Sequence, residues 1–123
     1  MWEFLTWLYL INGTLLITHE IDSAFWKEWE LFRLPGGISF FLLIHIPMIF
    51  FVMLGLTWVF HQSPAGLIMS LVLSAGGLFA FVVHTYHLRR GRPEFRTVVS
   101  VAILIATLIT SLTQGMVTLG LLT

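Results

Sequence analysis

Long apolar runs separated by short polar segments are the main feature of this chain. A helix that crosses a bilayer needs about 20 mostly apolar residues. Four runs approach or reach that length, at residues 4–19, 38–60, 67–86 and 97–122. Pro47 lies inside the second run and should kink it, which neighbouring helices accommodate in a membrane. The pattern therefore predicts an all-α, polytopic membrane protein that forms one domain with four transmembrane helices.

The long connection between the first two runs has a helical pattern of its own. Its apolar residues recur at helical spacing: Ile21, Phe25, Trp29 and Phe32. Charged residues occupy other positions of the helical wheel, and the segment ends in a Pro-Gly-Gly sequence at 35–37. This pattern is typical of an amphipathic helix in the membrane interface, and we predict one over residues 21–34.

Positive charge is confined to two of the connections. Every basic residue lies in the first or the third connection: Lys27, Arg33, Arg89, Arg90, Arg92 and Arg96. Because basic connections stay in the cytoplasm, both termini should face away from it. We expect a protein integral to the plasma (inner) membrane of a bacterium.

The composition agrees with a membrane protein and excludes several functions. Of the 123 residues, 58% are hydrophobic and only 10% are charged, against about 25% charged in an ordinary soluble domain. The formal net charge of zero argues against nucleic-acid binding, which needs a basic surface. The absence of cysteine excludes disulfides, thiolate metal sites and iron–sulfur clusters.

Four of the five histidines lie toward the cytoplasmic ends of the predicted spans. They are His19, His45, His84 and His87, and Asp22 follows His19 at about one helical turn. Polar groups inside a bilayer usually face the protein interior, so we expect these side chains to converge. Imidazole and carboxylate together suit one zinc, iron or manganese ion, with these five residues as its ligands.

The same cluster has other interpretations. His19, Asp22, His45 and His84 would serve as acid–base groups in a catalytic site without a metal. Alternatively, the histidines are interfacial residues bound to headgroups, water or carbonyls. A b-type haem held between His45 and His84 is a third possibility.

Uncharged polar residues also lie within the spans. The last span carries them on one helical face: Ser100, Thr107, Ser111, Gln114 and Thr118. Asn12 lies near the centre of the first span. Either these residues form hydrogen bonds between helices, or Asn12 and Gln114 line a polar cavity that binds substrate. In an enzyme that acts on a lipid, Arg89, Arg90 or Arg92 would hold an anionic headgroup.

Small residues form a stripe on the third span, at Gly66, Ser70, Ser74 and Gly77. Such stripes let helix backbones approach closely in membranes. We therefore expect tight helix packing there and assign the stripe no chemistry.

The end of the first span carries a short recognisable motif, His19-Glu20-Ile21-Asp22-Ser23. With the aromatic segment that follows, it resembles the small integral membrane proteins named for their HxxEE motif, over about half of the chain. On this resemblance His19 is the motif histidine and Asp22 the first acidic residue, whereas Ser23 replaces the second. His84 or His87 would match a later histidine of that family. The resemblance implies an enzyme without indicating its reaction.

Two classes of function fit these patterns. The first is an intramembrane enzyme, metal-dependent or acid–base, that acts on a lipid or another apolar substrate. The second is a non-enzymatic accessory or assembly subunit of a larger membrane complex. We expect membrane lipid as a partner, together with a membrane-protein partner or a second copy of the chain.

Overall fold

The structure is a computed structural model that describes residues 1–91 and 96–123. Its elements are α1 (Trp2–Phe25), α2 (Glu28–Leu31), α3 (Gly37–Phe60), α4 (Pro64–Arg89) and α5 (Val98–Leu122). No strand occurs in these two ranges, and the all-α class is confirmed for them.

Local sequence signals set the starts of α4 and α5. The Ser63 hydroxyl accepts a hydrogen bond from the Gly66 amide at 3.2 Å, and Pro64 occupies the first turn. Thr97 caps α5 in the same way, with its hydroxyl 3.0 Å from the Ser100 amide. Side-chain caps satisfy amides that have no partner within the helix, and proline is tolerated there because it has no amide hydrogen.

Three of the helices, α3, α4 and α5, are long and apolar enough to cross a membrane, judged by length and composition. This indicates a membrane-embedded helical protein, as the sequence predicts. The first predicted span lies in α1, which has 24 residues but is not one of these three. Asn12, His19 and Glu20 interrupt its apolar sequence.

The interfacial helix predicted over 21–34 is not a single helix. Helix α1 continues through that region to Phe25, and the chain then turns at Lys27, whose φ of 52° lies in the left-handed region. The next helix, α2, has only four residues. The turn redirects the chain so that Trp29 packs against Phe41 of α3, with the ring centroids 5.6 Å apart. A straight helix would lose this packing.

Helices α3 and α5 each pack against both α1 and α4. A cluster of buried apolar side chains joins α1, α3 and α4: Leu5, Tyr9, Val59, Leu67 and Leu73. Within it, the Tyr9 hydroxyl donates a hydrogen bond to the Val52 carbonyl at 2.9 Å. This bond satisfies the one polar group of a large buried side chain.

The polar stripe of α5 is buried along its whole length, as its spacing predicts. The Asn12 amide donates to Ser111 Oγ at 3.1 Å and to Gln114 Oε1 at 2.9 Å. The Gln114 amide in turn donates to the Ser70 carbonyl at 3.0 Å. These bonds join α1, α5 and α4 through the middle of the protein.

The small-residue stripe of α4 is also buried, and the predicted close packing is confirmed. A Cβ added at Gly77 would collide with Ser111 Oγ of α5. A Cβ added at Gly66 would lie 2.6 Å from the backbone of Trp58 and Val59 in α3. These glycines therefore hold α4 close to its neighbours on both sides.

Candidate functional site

A cavity of about 660 Å³ lies between α1, α3 and α4. This volume falls within the range of about 300–1,000 Å³ that is usual for small-molecule sites. Its walls are mostly apolar and come from α3 between Phe41 and Val52 and from α4 between Met69 and Ala80. Five ionisable side chains also line it: His19, Glu20, Glu28, His45 and His84.

The first polar pair joins α3 to α1. His45 Nε2 lies 2.7 Å from Glu20 Oε2, and His45 Nδ1 lies 2.6 Å from the Phe41 carbonyl oxygen. A carbonyl oxygen only accepts hydrogen bonds, so Nδ1 carries a proton. The His45 ring is also stacked on the Phe41 ring, with centroids 3.9 Å apart. The imidazole is thus fixed with Nε2 aimed at the carboxyl group.

The second pair joins α4 to α2 in a similar orientation but at a longer distance. His84 Nδ1 donates to the Ala80 carbonyl at 2.7 Å, and Nε2 lies 3.3 Å from Glu28 Oε1. The His84 side chain is 2% exposed and that of Glu28 is 13% exposed. Burial alone would raise the pKa of Glu28, but hydrogen bonds from His84 and Ser23 outweigh it and lower this pKa below its ordinary value. Glu28 is therefore a carboxylate at neutral pH.

His19 lies beside the second pair. Its ring meets the His84 ring edge to face, with centroids 4.4 Å apart. His19 Nε2 lies 3.4 Å from Ser23 Oγ, one turn along α1. His19 is 1% exposed, so it contributes to the wall of the site from within the packed core.

The two pairs place groups that can exchange a proton at the cavity wall. In each histidine Nδ1 donates to a backbone carbonyl, so Nε2 is the nitrogen that faces the carboxyl group and can donate or accept a proton there. A histidine held by a carboxylate in this manner has a fixed orientation and tautomer, as a general acid or base requires. The arrangement can donate a proton to a bound molecule or accept one from it.

The structure brings together three of the histidines that the sequence places at one membrane level. His19 and His84 are in contact, and His45 reaches the same cavity from α3. Asp22 is directed elsewhere, since its carboxylate accepts a hydrogen bond from the Trp26 indole at 2.9 Å. His87 lies one turn beyond His84, with its ring 6.3 Å from that of Phe32.

The predicted substrate-binding residues that the structure describes do not line the cavity. Asn12 and Gln114 are 0% exposed and bond to each other in the network between helices, which is the alternative the sequence left open. Arg89 is exposed, and Arg90 bonds to the Tyr86 hydroxyl at 3.0 Å and stacks over its ring. Arg92, the third predicted headgroup contact, lies outside the described residues.

Among residues 1–91 and 96–123, no group of three or more His, Cys, Asp or Glu side chains has an arrangement that could hold a metal ion. Both His45 and His84 direct Nε2 at a glutamate. The metal, haem and acid–base interpretations of these histidines all stay predictions.

Two functional candidates, Glu20 and Glu28, were not among the sequence-predicted site residues. Glu20 follows His19 in the sequence. A carboxyl group inside an otherwise apolar helix is the feature that could have identified Glu20 as a site residue. Glu28 lies among other charged residues, in the segment that the sequence predicts as an interfacial amphipathic helix. Only the turn at Lys27 brings Glu28 to His84, and no motif in the sequence marks that turn.

A family model described as "Family of unknown function (DUF6713)" matches residues 5–121. The chain belongs to this family. The match extends over nearly all of the DUF6713 fold described above, so both histidine–glutamate pairs and the cavity lie inside it. Neither a curated protein nor a solved structure matches the chain. The resemblance to HxxEE-motif proteins stays a prediction.

Proposed function

We propose that this DUF6713 protein is an intramembrane acid–base enzyme that moves a proton on a lipid-like substrate. The observation that carries this proposal is the pairing of His45 with Glu20 and of His84 with Glu28 on the wall of one apolar cavity. Apolar walls suit a hydrocarbon substrate. The oriented imidazoles suit proton transfer.

The proposed topology has α1, α3, α4 and α5 crossing the plasma membrane, with α2 at the cytoplasmic surface. Its support is the location of Lys27 and Arg33 in the first connection and of Arg89, Arg90 and Arg96 around the third, since basic connections stay in the cytoplasm. The cavity's ionisable groups would then lie near the cytoplasmic face.

A proton shift along a carbon–carbon double bond is a reaction that two such pairs can perform. One pair, in the state that holds a proton between Nε2 and the carboxyl group, donates it to an alkene carbon, where the π electrons form a new C–H bond. The other pair, in the state that lacks this proton, accepts one from the allylic carbon, where a C–H bond breaks and its electrons form the relocated double bond. Atoms and electrons balance without an oxidant or reductant, and the pairs exchange roles for the return reaction.

Within the described residues, the cavity offers acids and bases but no serine nucleophile. Ser23, the hydroxyl nearest to His19, is 0% exposed and does not line the cavity. A nucleophile must reach the substrate carbon to form a covalent intermediate. Proton transfer is therefore the better supported chemistry.

A stripe of small residues such as that of α4 would also suit the accessory-subunit alternative, because it can pack against a helix of another protein. Ser70 and Ser74 of that stripe bond to Thr118 and Ser111 of α5, at 2.7 and 2.6 Å. These small residues of α4 thus pack against α5 of the same chain, so the stripe gives no support to a separate partner.

Incorporation of solvent deuterium tests the proposal whichever lipid is the substrate. Purified protein is placed in vesicles made from lipid of the membranes that contained it. These vesicles are incubated in D₂O, and the extracted lipids are analysed by mass spectrometry. Wild-type protein should introduce deuterium at carbon into one class of lipid, above vesicles without protein. His45→Gln and His84→Gln should each reduce this incorporation by about 100-fold or more, the usual contribution of a general acid or base.

His61→Gln is the matched control, because His61 is exposed at the far end of α3 and does not line the cavity. It should exchange deuterium at the wild-type rate. Absence of deuterium from every lipid class with the wild-type protein would overturn the proposal. Equal losses in all three variants would do the same.

A further inference from the structure

We infer that the cavity binds a single hydrocarbon chain of a lipid, which enters sideways from the bilayer between α3 and α4 across Gly76. This rests on the proposed function, because the polar end of the cavity is the same pair of histidine–glutamate contacts. It adds the shape of the ligand, its route of entry and the residue that limits access.

The α4 wall of the cavity is also part of the outer surface. Val72 is 57% exposed and Phe79 is 65% exposed, yet both line the cavity. Between them lies Gly76, where an added Cβ would meet nothing within 4 Å. The glycine therefore leaves an open gap in this wall, with apolar side chains on either side of it.

The α3 wall has the same character. Met48 is 52% exposed and Phe51 is 49% exposed, and both line the cavity. Pro47, also in the lining, has no amide hydrogen to donate to the preceding turn of α3. The opening is thus bordered by exposed apolar residues of two helices, in a protein whose outer surface faces lipid, so a hydrocarbon chain is the occupant that fits.

The separation of α3 from α4 is confined to one end. Near their connecting turn the helices are in close contact, where Gly66 faces the backbone of Trp58. The cavity begins beyond this contact, at Met69, and reaches His84. Met69 and His84 are 15 positions apart, which corresponds to about 22 Å along α4, at 1.5 Å per residue. The space is therefore long, closed by packed helices at one end and polar at the other.

This shape sets the orientation of the ligand. The ionisable groups cluster where Glu20 and Glu28 approach His45 and His84, and the rest of the lining is apolar. A lipid would place its polar or unsaturated part at this cluster and its chain along α4 toward Met69. The second chain of a two-chain lipid would remain in the bilayer, outside the gap.

Photolabelling tests this inference directly. The probe is a long-chain fatty alcohol that carries a diazirine in its chain, added to wild-type protein in lipid nanodiscs and activated by light. Labelled residues are located by peptide mass spectrometry. Labels should concentrate in residues 41–52 and 69–84. Gly76→Leu should reduce this labelling several-fold and Gly76→Trp by more than 10-fold, because each fills the gap.

Gly120→Trp is the control, because a Cβ at Gly120 also meets nothing within 4 Å and this residue does not line the cavity. It should label as the wild type does. If Gly76→Trp fails to give monodisperse protein, the Gly76→Leu result decides. Wild-type labelling in the Gly76 variants, or labels spread evenly over exposed α5 residues such as Ile109 and Met116, would overturn the inference.

The deuterium assay on the same variants separates the two proposals. Loss of both labelling and exchange in the Gly76 variants supports the entry route. If labelling depends on Gly76 but the wild-type protein transfers no deuterium, the hydrocarbon-chain site is supported and the proposed reaction is overturned. Exchange that persists at the wild-type rate in both Gly76 variants would overturn the entry route and leave the reaction standing.

Discussion

Helix α2 contains two glutamates that the structure assigns to different environments, and replacing each by alanine should have very different consequences. Glu28 faces His84 at 3.3 Å, with side chains 13% and 2% exposed. Glu30 lies 3.9 Å from Lys27, and these side chains are 66% and 63% exposed. The same substitution in one short helix therefore compares a buried histidine–glutamate contact with an exposed ion pair.

The magnitudes follow from burial. Removing the partner of a buried polar group leaves that group unsatisfied, which costs about 1–3 kcal/mol and more where the lost partner is charged. Because His84 is buried and Glu28 is a carboxylate, we expect Glu28→Ala to lower the free energy of unfolding by about 2–3 kcal/mol. An exposed pair contributes about 0–1 kcal/mol. We therefore expect Glu30→Ala to change stability by at most about 0.5 kcal/mol.

The assay is reversible unfolding in detergent micelles, followed by the fluorescence of the five tryptophans. Combining Glu28→Ala with His84→Ala completes a double-mutant cycle, which should give a coupling energy above about 1 kcal/mol. Equal effects of Glu28→Ala and Glu30→Ala, or a coupling energy near zero, would refute the assignment of Glu28 to His84.

Three further predictions concern packing, pH and the polar network. Gly77→Ala should lower the free energy of unfolding by about 1–2 kcal/mol, because the cost of overpacking exceeds the gain in helix propensity. Gly120→Ala should not lower it, and equal melting temperatures of the two variants would contradict this prediction. The lowered pKa of Glu28 means that its carboxylate stabilises the fold above its ordinary pKa of about 4.5 and that this contribution is lost as pH falls through the lower native value. The unfolding midpoint of the wild type, measured between pH 3 and 7, should fall in acid, and that of Glu28→Gln should fall less. Equal pH dependence of the two proteins would contradict this prediction. Asn12→Ala loses hydrogen bonds to three residues. At about 0.6 kcal/mol per contact it should lower the free energy of unfolding by about 2 kcal/mol. The same unfolding assay measures this, and an unchanged stability would show that the network is not formed.

The helices and their packed faces could be predicted because each depends on local repetition. The apolar length of α3, α4 and α5 identifies them as candidate spans. The spacing of Ser111, Gln114 and their neighbours predicts one buried face. The position of a residue along a helix of known rise gives its depth in the membrane. On this basis the sequence predicts that His19, His45 and His84 lie at one level.

The pairing of these histidines could not be predicted, because it depends on the order of the helices around the protein. Glu20 and His19 are adjacent in sequence but about 100° apart around α1, so one faces α3 and the other α4. Glu28 reaches His84 only through the left-handed turn at Lys27, a residue type that does not favour such a turn. The sequence therefore indicates the depth of the site but not its partners.

The protonation of His45 and His84 provides the most direct test of the central claim, and nitrogen NMR measures it. Protein with ¹⁵N-labelled histidine is examined in lipid nanodiscs, with exposed His61 as an internal reference. Both site histidines should carry a proton on Nδ1, and the Nε2 signal of His45 should shift with Glu20→Gln while that of His84 shifts with Glu28→Gln. Nε2 signals that do not respond to substitution of the facing glutamate would contradict the assignment of the two histidine–glutamate pairs.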